Sequence, residues 1–341
     1  MMPRILAFLC AFSFCLPAAA PARAQDSLEP LMKLDKLTRG QRATMEAEVS
    51  LRVNRLREAG TNAQQRSEAR DRILRTAAIK GVTTAALDAY SEICAEQLTG
   101  IVTGDQLETA MDAVLILGQF GNANTADTLA AGMRSRQPAV RLMCARAISR
   151  LHDQIKDDQK RCNTVLRALG RAGARESDEH VLRVTYQAAD FKATVRNFKF
   201  AELTARTLAE IFQGRLEQLD SGSRDELRDE YGVEAAARCY ADAAREDKAR
   251  LISSLVRFME HSLARYFDPD VATESLPPVV RYISRLEEVI HEMAKSSGTS
   301  IACDRLKLNP RAASRSDQEA ASRRTMECIR NALRGDPWKI G

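Results

Sequence analysis

The sequence predicts an all-α protein, an α-solenoid-like stack of antiparallel helix pairs followed by a helical bundle or an irregular helical extension. Apolar residues recur at spacings of three and four along nearly every segment past Leu28, which is the period of one helix face. No run of four to eight residues combines strict alternation with β-branched enrichment, so strands are not expected. Short turns between helices make consecutive helices antiparallel neighbours, which leaves a bundle or a solenoid.

The first 24 residues have the three parts of a secretory signal peptide. Arg4 supplies a positive charge, an apolar run extends from Ile5 to Leu16, and small residues end at Ala22-Arg23-Ala24. The apolar run has about 12 residues, too few to cross a bilayer core of about 30 Å as a helix. We therefore expect cleavage between Ala24 and Gln25 and a periplasmic or secreted protein. No later segment approaches about 18 consecutive apolar residues, so no transmembrane segment is expected in the mature chain.

The periodicity predicts thirteen helices in the mature chain. One example is the stripe of Ile283, Leu286, Ile290 and Met293, which follows two prolines that suit a first helical turn. We expect N-terminal helices over 25–82, repeats over 83–191 and a C-terminal helical domain over 192–341. The predicted helices cover 41–59, 64–79, 84–100, 105–118, 124–134, 138–153, 158–172, 178–191, 199–218, 224–242, 245–267, 277–296 and 316–334.

Internal similarity favours repeats over a bundle. Residues 137–151 contain a turn with Pro138, then Val140-Arg141, then the small residues Ala145 and Ala147, then Ile148 and Leu151. This segment closely resembles the second helix of a HEAT repeat. A looser version occurs about 34 residues upstream, and another about 41 residues downstream, a spacing that fits helix-pair repeats. The resemblance covers about residues 100 to 191.

The resemblance departs from the family at one position. Family members often carry an acidic residue in the turn, next to the arginine of the following helix, whereas Gln137 stands there in this chain. A stacked series of Asp–Arg contacts is therefore not expected. From about residue 192 the repeat pattern fades and the helices become longer and more charged, which predicts either a separate bundle or an irregular continuation that caps the array.

Six cysteines follow the predicted cleavage site, and an exported chain permits disulfides. Cys303 lies in a polar loop and Cys328 in the next helix. These two are the best candidates for a pair, which would close a loop of about 25 residues and contribute about 3 kcal/mol. Cys144 lies on the apolar stripe of a helix, where a free thiol behaves as a small core residue.

The sequence gives little support for catalysis. The four histidines are far apart, and no Cys-x-x-Cys, His-Glu-x-x-His, Gly-x-Ser-x-Gly or glycine-rich phosphate loop occurs. We therefore expect no metal, no cofactor and no catalytic residues. Without Arg4 and Arg23 the chain has 49 basic and 46 acidic side chains. This small surplus does not indicate nucleic-acid binding, which needs a clustered basic face.

The residues most suited to binding lie on the predicted repeats. In stacked helix pairs the second helices line the concave face. On the helix over 138–153, the side chains turned away from the apolar stripe include Arg146, Ser149 and Arg150. Arg183 and Gln187 occupy a similar helix one repeat on. Together these five residues predict a patch for an acidic partner.

Three functions remain open. The favoured hypothesis is an exported helical-repeat protein that binds or scaffolds another protein or an envelope component. The alternative is an envelope enzyme, or an accessory to one, with a site in the half after residue 192. A pocket with two converging carboxylates or a His–carboxylate pair would favour that alternative. The third is a structural protein that associates with itself.

Overall fold

A computed structural model describes residues 27–223, 226–310 and 316–335, and the predicted signal peptide lies outside these ranges. The described residues contain sixteen α-helices and no strand, which confirms the all-α prediction. The helices are α1 (Glu29–Met32), α2 (Arg39–Glu58), α3 (Ala63–Ala77), α4 (Thr84–Val102), α5 (Leu107–Phe120), α6 (Ala126–Gly132), α7 (Pro138–Arg150), α8 (His152–Ile155), α9 (Gln159–Gly173), α10 (Glu179–Ala189), α11 (Phe191–Thr194), α12 (Ala201–Asp220), α13 (Glu230–Cys239), α14 (Arg245–Phe267), α15 (Leu276–Ser296) and α16 (Ser316–Ala332).

Each of the thirteen predicted helices corresponds to one of these elements. The prediction over 224–242 was too long, because α13 is flanked by single 3-10 turns at Glu226–Asp229 and Tyr240–Asp242. Asp229 directs its carboxylate into the core, to Arg215 and to the hydroxyl of Tyr186, so the chain turns there before the regular helix begins. The four-residue helices α1, α8 and α11 were not predicted, since a single turn carries no periodic signal.

The long helices form two layers. The first layer contains α2, α4, α6, α9, α12 and α14, with α16 at its end, and each of these helices contacts the next one in this order. The second layer contains α3, α5, α7, α10, α13 and α15, which also contact one another in order. Each first-layer helix contacts the second-layer helix that follows it in the chain. The described residues therefore form a stack of six helix pairs.

The three similar sequence segments occupy equivalent places in this stack. They lie in α5, α7 and α10, which are consecutive helices of the second layer. The first-layer helices begin at residues 39, 84, 126, 159, 201 and 245, which are 33 to 45 residues apart. This spacing is close to the one that the sequence similarity predicts.

Small residues bring neighbouring helices close together. A Cβ on Gly118 in α5 would lie 3.3 Å from the Cβ of Ala147 in α7. A Cβ on Gly214 in α12 would collide with the carbonyl oxygen of Ala174 and would lie 2.6 Å from its Cβ. These glycines therefore set the distance between successive helix pairs in both layers.

The stacking continues beyond residue 192. Helix α12 contacts α9, and α13 contacts α10, in the same manner as the preceding pairs. A single hydrophobic core runs from Leu28 to Leu333. The chain after residue 192 is thus a continuation of the layers, and its helices α12, α13, α14 and α15 have 20, 10, 23 and 21 residues.

The cysteines divide as the sequence predicts. Cys303 and Cys328 form a disulfide with their Cα atoms 5.9 Å apart, which ties α16 to the loop after α15. Cys144 is a buried free thiol, and burial raises its pKa to about 12. The other free cysteines of the described chain, Cys94, Cys162 and Cys239, are buried as well.

Candidate binding surface

The second layer presents a regular row of exposed side chains to solvent. Each of its helices packs on the first layer and on its neighbours through its apolar positions, so positions three and four residues apart on the opposite side stay exposed. We call the part formed by α5, α7, α10 and α13 the outer face. Its exposed side chains include Leu115, Arg146, Arg150, Arg183, Gln187 and Tyr231.

The structure brings four of the five predicted binding residues to this surface. Arg146, Arg150, Arg183 and Gln187 are exposed, and the two helices that carry them are in contact. Ser149 lies beside them but is half-buried, and its hydroxyl donates to the carbonyl oxygen of Ala145 at 3.2 Å. Its hydroxyl is therefore engaged within its own helix.

The arginines of the outer face form no ion pair with other described residues. Neither Arg146 nor Arg150 makes a side-chain hydrogen bond or ion pair with another residue in the described part of the chain. The Arg183 guanidinium lies 5.6 Å from the centre of the Tyr231 ring, within the range of a cation–π contact. Three guanidiniums thus remain available to a carboxylate on the α7 and α10 part of the face.

Two apolar side chains flank these arginines. Leu115 on α5 is 38% exposed and Tyr231 on α13 is 42% exposed. They are two of the three large hydrophobic side chains that are exposed in the described residues, the third being Leu51 on α2 in the first layer. Sequence reasoning missed both residues because it considered only polar side chains as binding candidates.

Beneath the face, ion pairs join successive helices of the second layer. Arg141 of α7 pairs with Glu176 in the turn before α10, with Nε–Oε2 at 2.7 Å and Nη2–Oε1 at 2.8 Å. With Gln137 in the turn, no stacked series of Asp–Arg contacts was expected, and the contact found here pairs Arg141 with a glutamate instead. Glu176 belongs to the next turn along the stack, which local sequence comparison did not consider.

Similar ion pairs join other neighbouring helices of the second layer. Asp112 of α5 accepts from Arg66 and Arg70 of α3, at 3.1 and 2.7 Å. Glu234 of α13 pairs with Arg285 of α15, which raises the pKa of Arg285 and lowers that of Glu234. These contacts fix the register between neighbouring helices and so hold the outer face in one arrangement.

A His–carboxylate pair, the feature that would favour an enzyme, is present after residue 192. His261 Nε2 lies 3.0 Å from Asp220 Oδ1, and Arg257 contacts the other oxygen of the same carboxylate. Arg257, through its hydrogen bond, is the main cause that lowers the pKa of Asp220. Neither His261 nor Asp220 lines any of five cavities identified among the described residues.

The described residues hold no group of three or more histidine, cysteine, aspartate or glutamate side chains placed to bind a metal ion. None of the helices in the described ranges is both long enough and apolar enough to cross a membrane. No family model matches this sequence, and no curated protein and no solved structure shows significant similarity to it.

Proposed function

We propose that this is an exported helical-repeat protein that binds an acidic partner protein through the outer face. The observation that carries the proposal is the set of unpaired guanidiniums of Arg146, Arg150 and Arg183 between two exposed apolar side chains. The HEAT-like segment over 137–151 supports it, since stacked helix pairs serve as extended binding surfaces. The signal-peptide pattern of residues 1–24 supports export.

The charge of the face argues for an acidic partner. Arginine binds carboxylates through two parallel hydrogen bonds, and three guanidiniums on adjacent helices offer several such contacts. In many other arginines of this chain the guanidinium is already engaged by a neighbouring carboxylate, as in Arg141 and Arg285. The arginines of the outer face have no such internal role, which leaves them free for an external acid.

The composition of the face argues for a protein. Arginine, tyrosine and methionine are enriched in protein interfaces, where a few anchoring side chains supply most of the binding energy. Leu115 and Tyr231 provide two apolar anchors, and Met111, Leu142 and Met143 are half-buried on the neighbouring helices. Apolar and basic contacts on one face suit a partner surface that carries both carboxylates and apolar side chains.

The test is crosslinking in intact cells of the native host, followed by affinity capture of the tagged protein. The variant carries Arg146→Glu and Arg150→Glu. A matched control carries Arg39→Glu and Arg167→Glu, which make the same charge change at exposed arginines of the first layer that form no side-chain contact with other described residues. We expect one enriched protein that the outer-face variant loses and the control retains. Equal capture by both variants would refute the proposal.

Self-association is tested with the purified protein alone. Sedimentation velocity over a hundredfold range of concentration should give one species, and the same species for the outer-face variant. A wild-type protein that assembles with rising concentration, and a variant that does not, would show that the face binds a second copy of the chain. That result would replace the proposed function with the structural, self-associating one.

A further inference from the structure

A cavity of about 600 Å³ lies at one edge of the stack, and none of the outer-face residues lines it. It is bounded by the C-terminal ends of α6 and α9 and by the turns that lead into α7 and α10. Met133, Ala168 and Ala172 form its apolar part. Its volume is in the range of small-molecule binding sites.

The lining of this cavity is strongly basic. It includes four arginines, Arg134, Arg141, Arg171 and Arg175, against one acidic residue, Glu176, which leaves a formal excess of three positive charges. Each of the other four cavities has an excess of at most one positive charge. The charge therefore distinguishes this cavity from those four.

The one carboxylate that lines this cavity already has hydrogen-bond partners. Glu176 binds Arg141 through both oxygens, and Oε1 also accepts from the backbone nitrogens of Ser177 and Asp178. The side chains of Arg134, Arg171 and Arg175 make no hydrogen bond or ion pair with any other residue that the structure describes. Three guanidiniums thus surround one cavity with all of their donors available.

The helix ends account for only part of this arrangement. Arg171 is in the last turn of α9, Arg175 follows it, and Arg134 follows the end of α6. Cations near a helix C-terminus are stabilised by about 0.3–1 kcal/mol. Arg134, Arg171 and Arg175 are exposed, and that effect does not require them to line one cavity.

We infer that this cavity binds a small oxyanion with two or more negative charges, carried on phosphate or carboxylate groups. Arg171 and Arg175 are one turn apart on the α9 side, and Arg134 comes from the α6 side. An anion between these three arginines accepts hydrogen bonds from both sides. The Arg141–Glu176 ion pair holds the wall of the cavity in place. This site goes beyond the proposed function, since it lies apart from the outer face and takes a different ligand.

The test is isothermal titration calorimetry at constant ionic strength with two probes, inorganic pyrophosphate and citrate. Three proteins are compared. They are the wild type, a variant with Arg134→Gln, Arg171→Gln and Arg175→Gln, and a control with Arg39→Gln, Arg196→Gln and Arg281→Gln, three exposed arginines that make no side-chain contact with other described residues and lie outside both the cavity and the outer face. The two variants lose the same charge, so the control removes the effect of net charge on anion binding.

We expect the wild type to bind at least one probe with a stoichiometry of one, and the cavity variant to bind it at least tenfold more weakly. The control should bind the same probe within about twofold of the wild type, because a guanidinium holds an oxyanion through hydrogen bonds that act only at short range. The probe that binds with the higher affinity identifies the site as one for phosphate or for carboxylate. Equal weakening in both variants, or no binding of either probe to the wild type, would overturn the inference.

Discussion

Arg141 and Glu176 join the third helix pair of the stack to the fourth through a bidentate ion pair. The Glu176 side chain is 1% exposed and that of Arg141 is 17% exposed. Removing one partner of such a pair leaves the other charge uncompensated in a poorly solvated place. We predict that Glu176→Gln lowers the free energy of unfolding by about 2–4 kcal/mol, measured by urea denaturation.

The matched control is Glu246→Gln. Glu246 pairs with Arg250 one turn away in α14, and both side chains are more than half exposed. Exposed pairs of this kind contribute about 0.5 kcal/mol or less. If Glu176→Gln changes the unfolding free energy no more than the control does, the ion pairs between helix pairs have no part in holding the second layer together.

Gly214 sets the distance between α9 and α12. Because a Cβ at this position would collide with the backbone of Ala174, Gly214→Ala should force the two helices apart and lower the unfolding free energy by about 2–3 kcal/mol. Thermal and urea unfolding measure the change. Gly100 in α4 is exposed with no atom near its Cβ position, so Gly100→Ala should instead stabilise the protein by about 0.5–1 kcal/mol. Similar effects of the two substitutions would contradict the close contact.

The Cys303–Cys328 disulfide should act mainly on α16. Among the long helices of the described chain, α16 makes its main contacts with α14, and the disulfide ties it to the loop after α15. We predict that Cys303→Ser with Cys328→Ser increases amide hydrogen exchange in residues 317–332 while α7 and α10 keep their protection. Unchanged exchange in α16 would show that its packing holds it without the disulfide.

His152 should make the protein sensitive to acid. Its ring is buried against Phe191, Nε2 lies 2.9 Å from the carbonyl oxygen of Ala188, and burial lowers its pKa to about 4. The unfolded chain takes up a proton near pH 6.5, before the folded chain does, so stability present above pH 6.5 is lost as the pH falls to about 4.

The expected loss from His152 is about 2–3 kcal/mol between pH 7 and pH 4. It is measured as the difference in unfolding free energy between wild type and His152→Gln at each pH, which removes the contribution of carboxylates common to both. The destabilisation caused by His152→Gln should therefore be larger at pH 7 than at pH 4. A difference that does not change with pH would show that His152 titrates normally.

The sequence predicted the helices well because their signal is local. The stripe of Ile283, Leu286 and Ile290 needs only the helical period to be recognised, and α15 follows it. It was harder to predict that the two layers continue after residue 192. Helices of different length can pack in the same two layers without repeating the residue pattern of the earlier pairs. Contacts such as those of Gly214 with Ala174 and Arg141 with Glu176 link residues 35 to 40 positions apart and are visible only in the fold.

The candidate surface was predicted in part. Arg146, Arg150 and Arg183 followed from their place opposite an apolar stripe, and they are exposed as expected. Leu115 and Tyr231 could not be distinguished from core residues by sequence, because an apolar side chain is recognised as exposed only when its neighbours are known. Likewise, Arg134 joins Arg171 and Arg175 only after two turns of the stack are brought together.

The central claim, that the outer face binds a protein partner, is tested most directly by site-specific photocrosslinking in cells of the native host. A photoreactive amino acid replaces Leu115 or Tyr231 on the outer face, or Leu51, the exposed apolar residue of the first layer. We predict a discrete adduct of one mass from Leu115 and Tyr231, absent from Leu51 and lost when Arg146→Glu and Arg150→Glu are added. The same adducts from all three positions, or none from the two on the outer face, would contradict it.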